Sequence, residues 1–174
     1  HNENTEAALK YSLKFLQLPG GESERRKLMS AYESLTPFPD AAAALPQLAS
    51  IKRSILSVGT PDLINALVRN SGLADQFDKL FSVDAVKVYK PHPQTYQMAI
   101  DHFGVERHEV GFVTSNFFDV AGARAFGFKV IWINRKADLP DELGLLPHVE
   151  LRSIEQLPQV LGIRSSEAVR SEEH

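Results

Sequence analysis

The stretch Val110-Gly111-Phe112-Val113-Thr114-Ser115-Asn116-Phe117-Phe118-Asp119 decides the fold of this chain. Its first half is apolar and contains β-branched valines, as is typical of a short buried strand, whereas its second half contains small polar residues and an acid. A strand that ends in such residues places them at the carboxyl edge of a sheet, where open α/β folds bind their ligands. We therefore expect a strand at Val110–Thr114, then a helix, with a functional site between them.

Two upstream segments have the same character. Ile55-Leu56-Ser57-Val58-Gly59-Thr60 is an apolar strand that runs into a hydroxyl and a glycine, and Thr60-Pro61 is a typical helix start. Val88-Tyr89-Lys90-Pro91 places an ammonium group after an apolar strand and before a proline turn. Together the three segments supply a hydroxyl, an ammonium group, and an amide with a carboxylate, in that order along the chain.

Strand and helix patterns alternate around these segments. This alternation indicates a parallel sheet covered by helices on both faces, which is a Rossmann-like α/β fold. The predicted strands are Arg53–Val58, Leu80–Val83, Val110–Thr114, Lys129–Asn134 and His148–Leu151. The predicted helices are Asp40–Ala49 with Asp40 as its cap, Pro61–Val68, His92–Phe103, Phe118–Phe126 ended by Gly127, and Ile154–Leu161.

The N-terminal part follows a different pattern. Apolar residues at helical spacing predict helices over Thr5–Leu18 and Glu24–Leu35. Thr36-Pro37-Phe38-Pro39 is a rigid linker, because proline restricts its own backbone and that of the preceding residue. We therefore expect part of a small helical region at 1–36, an α/β core at 37–164 and a charged, frayed tail at 165–174.

The composition narrows the function classes. The 174 residues are 43% hydrophobic and 24% charged with a net charge of −3, which is typical of a compact globular protein and gives no reason to expect nucleic acid as a partner. The chain has no cysteine, which excludes thiolate nucleophiles and cysteine-ligated metals within it. No apolar run reaches transmembrane length and no signal-peptide pattern occurs, so we expect a cytoplasmic protein without a membrane partner.

Three polar residues are the first candidates for chemistry, and each has an ordinary alternative. Lys90 can neutralise a carboxylate of a substrate or of a nucleophile, although a single lysine is more often an exposed surface residue. Asp119 lies one helical turn after Asn116 and can act as a base, orient water or bind Lys90, but it also favours the start of the next helix. Ser57 and the N–H groups after it can bind an anion, or form a plain turn. The histidines show no spacing typical of metal ligands.

These segments resemble the motifs of the haloacid dehalogenase superfamily and, more narrowly, of the L-2-haloacid dehalogenases. The resemblance runs from about Thr5 to Leu161 and implies a Rossmann-like core with part of a helical cap. It also implies hydrolysis of short L-2-haloalkanoic acids to 2-hydroxy acids through an aspartyl ester. The segments that carry it are Leu56–Pro61, Ser82–Pro91, Phe112–Asp119, Gly122-Ala123-Arg124, Phe126-Gly127 and Trp132–Arg135.

The resemblance implies a catalytic role for four residues. Lys90 would pair with the nucleophile, while Thr114, Asn116 and Asp119 would position and activate the hydrolytic water. Phosphatases of the superfamily bind magnesium through acidic residues on the strand that ends here in Thr114-Ser115-Asn116. Because Asp119 is the only acid at this strand end, and Mg²⁺ usually takes one or two carboxylates, we expect no metal and no cofactor.

The resemblance also implies residues that contact the 2-haloacid substrate. Ser57 and the N–H groups near Val58 and Gly59 would bind the substrate carboxylate. Tyr96 would support the Lys90 region, and Phe118 would lie against the departing halide. Val58 is a departure, since the dehalogenases usually place there an Asn whose amide helps to hold the halide. The loss of such a donor costs a factor of about 10²–10³ where nothing replaces it.

The family's nucleophilic Asp lies on a first strand that precedes every motif seen here, and the halide-binding Arg of the cap is not seen either. Asp40 is the only Asp before Ser57, and it follows a proline-rich linker, so it is a poor candidate. We therefore expect the nucleophile upstream of this chain, and exposed apolar surface on the two strands that would flank the first strand. Two alternatives stay open: a superfamily phosphatase, and a catalytically inactive fragment.

The resemblance further implies a homodimer, because the family commonly associates through cap helices. The candidates for such a face are Leu9, Leu13, Leu28 and Tyr32.

Overall fold

The structure, a computed structural model, describes residues 2–15, 21–32 and 35–163. Its helices are α1 (Asn2–Phe15), α2 (Glu22–Tyr32), α3 (Pro39–Ala44), α4 (Pro61–Asn70), α5 (Pro93–Phe103), α6 (Phe117–Phe126) and α7 (Leu157–Val160). Its strands are β1 (Ser54–Ser57), β2 (Lys79–Ser82), β3 (Gly111–Thr114), β4 (Lys129–Ile133) and β5 (Val149–Leu151). The tail at 165–174, residues 16–18 of the first predicted N-terminal helix and residues 33–34 of the second lie outside these ranges, and Leu35, the predicted end of the second helix, is not helical. In the part of the chain that is described, no helix combines the length and the apolarity needed to cross a bilayer.

The strands are parallel and flanked by helices, which confirms the α/β fold class, but the described residues form two sheets. One sheet pairs β1 with β2, and the other has the order β3-β4-β5. Within the described residues, β1 and β3 therefore each have one edge without a partner strand. Leu56 of β1 and Phe112 of β3 nevertheless pack against the same core cluster. Val113 of β3 remains 37% exposed, whereas residues of parallel strands are normally covered on both faces.

Two apolar clusters lie on the two faces of the three-stranded sheet. β4 alternates between them, so that Val130 and Trp132 belong to one cluster, and Ile131 and Ile133 to the other. The first cluster also contains the aromatic residues Tyr96, Phe126 and Phe128 and the α6 residues Val120 and Ala123. The second brings Leu45 and Leu48 against β5 and α7. The first cluster thus holds α6 against the sheet, and with it the end of the segment 110–119.

Helix starts and stops follow the sequence closely around the core. Thr60 caps α4 by accepting a hydrogen bond from the Leu63 N–H at 3.3 Å. Gly127 ends α6 with a left-handed φ of 106°, a conformation that glycine adopts without steric cost.

The predicted capping role of Asp40 is wrong. Phe38 is the N-cap of α3, and Asp40 lies in the first turn of that helix. The carboxylate of Asp40 instead accepts two hydrogen bonds from Arg135, at 3.0 and 2.8 Å, and one each from Ser153 and the Ile154 N–H, at 3.2 and 3.1 Å. Four hydrogen bonds from three distant residues thus outweigh the local cap and tie α3 to the segments that follow β4 and β5.

The face suggested for dimerisation is described only in part. Leu9 and Leu13 of α1 are half-buried, while the side chains of Leu28 and Tyr32 lie outside the described ones. Tyr11 and Phe15 of α1 are 69% and 71% exposed and stack on each other one helical turn apart.

Candidate active site

A buried ion pair lies at the centre of the candidate site. Lys90 is in the turn between β2 and α5, and Asp119 is in the first turn of α6, directly after β3. The Lys90 ammonium donates to Asp119 Oδ2 at 2.8 Å, and the two side chains are only 11% and 2% exposed. Removing one partner from such a pair would leave an uncompensated buried charge, so each side chain strongly constrains the other.

The strand expected before Lys90 is not present. β2 ends at Ser82, where the Ser82 hydroxyl donates to the Gly59 carbonyl at 2.6 Å and accepts from the Asp84 N–H at 3.2 Å. These bonds turn the chain into a 3-10 turn at Val83–Ala85, and Lys90 follows in a loop. Local apolar residues predicted a strand, but side-chain hydrogen bonds at Ser82 compete with the sheet ladder and end it.

The last residue of β3, Thr114, is hydrogen-bonded to Asp119. Thr114 Oγ1 donates to Asp119 Oδ2 at 3.4 Å and accepts from the Asn116 N–H at 3.1 Å. Asn116 is the N-cap of α6, but its side chain makes no capping hydrogen bond. Its exposed amide group is therefore not used in holding the helix start.

Two buried oxygen atoms next to the ion pair have no hydrogen-bond partner in the described residues. They are Asp119 Oδ1 and Tyr96 Oη. Burial, and then the negative charge of Asp119, raise the pKa of Tyr96 above its ordinary value, so that Tyr96 is a neutral phenol at physiological pH. Buried polar atoms are normally paired, so Asp119 Oδ1 is the atom of the site that is best placed to accept a hydrogen bond from a bound molecule.

The segment after β1 differs from what the sequence predicted. The Gly59 N–H donates to Ser57 Oγ at 3.0 Å, and is therefore not free to bind an anion as expected. The Ser57 hydroxyl keeps its own proton as a donor. The hydrogen bonds of this segment lead to Ser82 and not to Lys90 or Asp119, so Ser57 and Gly59 form a group separate from the ion pair. Tyr96 and Phe118, which were also expected near the substrate, lie beside Asp119.

Two apolar side chains near these strand ends are open to contact by a ligand. Val58 follows β1 and is 43% exposed, and Phe118 precedes Asp119 in α6 and is 54% exposed. Neither belongs to the two core clusters of the three-stranded sheet.

Two hydrogen bonds to Ser115 were not predicted from the sequence. Arg135 donates to Ser115 Oγ at 3.3 Å while it also binds Asp40, and Trp132 Nε1 donates to the Ser115 carbonyl at 3.3 Å. The Trp132–Arg135 segment was noted as a motif, but only the folded chain brings it back to the end of β3.

Among the described residues, no group of three or more His, Asp and Glu side chains is arranged to hold a metal ion. The polar residues at the end of β3 offer hydroxyl and amide groups, with Asp119 already bound to Lys90.

The buried lysine–carboxylate pair, with a threonine hydroxyl beside it, thus lies where loops leave the parallel strands of an α/β protein of Rossmann-like architecture. A family model for haloacid dehalogenase-like hydrolases matches residues 3–127. The chain belongs to this family, as the motifs indicated.

Several curated relatives that it matches are named as dehalogenases. An (S)-2-haloacid dehalogenase of Xanthobacter autotrophicus is 50% identical over 131 residues, which are 75% of this chain and 52% of that protein. An (S)-2-haloacid dehalogenase of Pseudomonas sp. (strain YL) is 38% identical over 94% of this chain and 72% of that protein. This chain thus spans about half the length of the first relative and about three quarters of the second.

A solved structure agrees with these sequence matches. It is that of L-2-haloacid dehalogenase from Xanthobacter autotrophicus with chloropropionic acid covalently bound. This structure matches with a TM-score of 0.85 and 38% identity, over 92% of this chain and 75% of that chain.

Proposed function

We propose that this chain supplies most of the active site of an enzyme that hydrolyses short L-2-haloalkanoic acids. The C–X bond is replaced by a C–OH bond, water supplies the oxygen, and halide and one proton leave. The observation that carries this proposal is the buried Lys90–Asp119 pair, at 2.8 Å, in a chain whose relatives are named (S)-2-haloacid dehalogenases.

The nucleophile in this proposal is an aspartate on a strand outside the described residues. Asp119 is a poor nucleophile, because Lys90 and Thr114 hold its Oδ2 and only 2% of its surface is accessible. The unpaired edges of β1 and β3, which pack against a common cluster, favour a strand that inserts between them. Its carboxyl end would then lie between the ends of β1 and β3, at the ion pair.

The four catalytic residues then act in two steps. In the first, the nucleophilic carboxylate attacks the carbon that bears the halogen, displaces halide and forms an ester, while the ammonium group of Lys90 stabilises the carboxylate charge. In the second, a water molecule gives a proton to Asp119 and attacks the carbonyl carbon of the ester. The acyl C–O bond breaks, the 2-hydroxy acid leaves and the nucleophilic carboxylate is restored. Asp119 Oδ1 accepts a hydrogen bond from that water, with Thr114 and Asn116 as further contacts.

The remaining site residues hold the substrate. The Ser57 hydroxyl and the Val58 N–H bind its carboxylate, whereas Gly59 contributes the turn and not its N–H, which Ser57 occupies. Phe118 packs against the departing halide with its exposed ring. Tyr96 packs beside the Lys90–Asp119 pair as a fully buried neutral phenol.

The enzyme is proposed to work without a metal, since hydroxyl and amide groups stand where a phosphatase would need carboxylates. The test compares chloride release from 2-chloropropionate without added metal with phosphate release from p-nitrophenyl phosphate in the presence of Mg²⁺. We expect chloride release that chelators do not inhibit, and no phosphatase activity. Magnesium-dependent phosphate release without chloride release would assign the chain to the phosphatases instead.

The proposal has three further parts: residues 1–36 form part of a cap, the protein is cytoplasmic, and it is a homodimer. The exposed pair Tyr11 and Phe15 on α1 supports the dimer, because stacked aromatic side chains rarely remain open to water. Sedimentation equilibrium of the complete protein, compared with a Phe15→Glu variant, measures this directly. A dimer that the variant leaves intact would place the interface elsewhere.

A further inference from the structure

We propose that Gly122 is a positioning residue that sets how closely α6 approaches the Lys90–Pro91 turn, and so holds Asp119 at bonding distance from Lys90. This inference deepens the proposed function and rests on it. Gly122 lies three residues after Asp119, so the two positions share one face of the helix. That face meets Lys90, Pro91 and Tyr96.

There is no space for a side chain at position 122. A Cβ there would lie 2.4 Å from Pro91 Cβ, 2.6 Å from Tyr96 Oη and 3.3 Å from Pro91 Cα. Carbon atoms in van der Waals contact are about 3.5–4.0 Å apart, so the helix and the turn would have to separate by about 1 Å.

Neither neighbour can easily move instead. Pro91 is closed onto its own backbone by its ring. Tyr96 is fully buried, and its ring packs at centroid distances of 5.6, 5.4 and 5.7 Å against Phe112, Phe126 and Phe128. The strain of an added methyl group therefore falls on α6.

Backbone conformation does not explain the glycine. Gly122 is inside α6 and is not left-handed, unlike Gly127 at the end of the same helix. Glycine is a poor residue for a helix interior, where alanine is favoured. The close approach of Pro91 and Tyr96 is what this position requires.

The consequence falls on the ion pair. Asp119 and Gly122 move together on one rigid helix turn, and Lys90 is bonded directly to Pro91. A separation of about 1 Å would stretch the 2.8 Å bond between Lys90 Nζ and Asp119 Oδ2 beyond hydrogen-bond range. A misplacement of that size in catalytic groups costs about 100-fold in rate.

The test uses Gly122→Ala and Gly111→Ala in the complete protein. Gly111 is the matched control, because among the described residues a Cβ there would meet only Ile131 Cδ1, at an ordinary 3.7 Å, and its backbone is not left-handed either. For chloride release from (S)-2-chloropropionate, we expect Gly122→Ala to lower kcat about 100-fold with KM changed less than about threefold. Gly111→Ala should retain the wild-type kcat. A merely structural role for Gly122 would lower thermal stability and leave kcat unchanged.

A crystal structure of Gly122→Ala reads the geometry independently of turnover. We expect the distance between Lys90 Nζ and Asp119 Oδ2 to exceed 3.5 Å, the limit of a hydrogen bond. A distance of 2.8 Å together with the wild-type kcat would overturn the proposal. If the wild type itself releases no halide, the proposed function fails, while the measured distance still decides the role of Gly122.

If Gly122→Ala does not fold, the double variant Gly122→Ala/Tyr96→Phe removes one of the blocking atoms, Tyr96 Oη. We expect this protein to fold with a lengthened Lys90–Asp119 distance. A folded double variant that keeps the short pair and full kcat would contradict the proposal.

Discussion

The central strand of the three-stranded sheet, β4, and the first strand of the two-stranded sheet, β1, differ in how completely they are covered. In the three-stranded sheet, every β4 residue from Val130 to Ile133 is at most 5% exposed. In the two-stranded sheet, β1 has no buried residue although it is also a parallel strand, and β3, at the edge of the three-stranded sheet, has none either. Among the strand edges without a partner in the described residues, those of β1 and β3 define what we call the β1–β3 gap, because Leu56 and Phe112 of these strands pack against one cluster.

This difference shows how the candidate site is built. Lys90 follows β2 of one sheet, and Asp119 follows β3 of the other, so their ion pair joins the two sheets across the gap. At β4 the three-stranded sheet is packed by apolar clusters on both faces, whereas β1 and β3, on the two sides of the gap, have no buried residue.

The largest effect is expected when the ion pair itself is broken. In Lys90→Met the Asp119 carboxylate would stay buried without its partner, which destabilises a protein by about 3–5 kcal/mol. We expect that loss in urea denaturation, together with loss of halide release in the complete protein. Lys52→Met is the matched control, because Lys52 makes an equally short pair with Asp78, at 2.9 Å, but is 75% exposed. Equal stability of the two variants would contradict the structural role of the buried pair.

The next effect compares the two sheets directly. Ile131→Ala removes a buried side chain of β4 and should cost about 2–5 kcal/mol in the free energy of unfolding. Ile55→Ala on the half-buried β1 should cost clearly less in residues 1–174. In the complete protein the cost of Ile55→Ala should rise, because a strand in the β1–β3 gap would bury it. An unchanged cost would mean that the gap stays open.

A smaller effect is expected at Asp40, in the first turn of α3. Burial by itself would raise the pKa of Asp40, but the Ile154 N–H and then Arg135 outweigh it and hold that pKa below its usual value. A depressed pKa gives stability that is present above the unfolded-state value of about 3.9 and is lost as pH falls through the lower folded value. Asp40→Asn should therefore lower the free energy of unfolding by about 1–3 kcal/mol at pH 7 and lessen its decline below about pH 4.

The measurement for Asp40 is chemical denaturation between pH 3 and 7. Asp62→Asn serves as the control, since Asp62 is exposed in the first turn of α4. If both variants show the same pH dependence, the network of Asp40 contributes nothing specific.

The smallest effect concerns His148, at the start of β5. Burial, followed by the charges of Arg124 and Lys129, lowers the pKa of this imidazole, and its Nδ1 accepts from the Val130 N–H at 2.8 Å. The neutral form is therefore favoured in the fold, and stability should decline as pH falls through the unfolded-state value of about 6.5. Thermal melts of His148→Gln should show a weaker decline between pH 7 and 5. If the variant and the wild type lose the same stability between pH 7 and 5, groups other than His148 cause that loss.

Local chemistry made much of the fold predictable. The caps and stops at Thr60 and Gly127, the alternation of strands and helices, and the parallel direction all follow from residues close in sequence. Lys90 and Asp119 were expected near each other because strand ends collect at one edge of a sheet. The strand before Lys90 was not correct, because the hydroxyl of Ser82 turns the chain earlier than its apolar residues suggest.

What escaped prediction depends on contacts between distant parts of the chain. Asp40 binds Arg135 and Ile154, which lie 95 and 114 positions further along the chain, and no capping pattern can reveal such contacts. The Gly59 N–H is taken by Ser57 Oγ, a detail of one turn that decides whether a donor is free. Gly122 belongs to a motif noted in the sequence, but its close contact with Pro91 and Tyr96 follows only from the folded chain.

The central claim is that the Lys90–Asp119 side of the site is complete in this chain, while the nucleophile comes from a strand in the β1–β3 gap. The most direct test measures chloride release from (S)-2-chloropropionate by the complete protein and by residues 1–174 alone, both without added metal. We predict turnover by the complete protein and none by residues 1–174. Turnover by residues 1–174 alone would place the nucleophile within them, and no turnover by either protein would contradict the dehalogenase assignment.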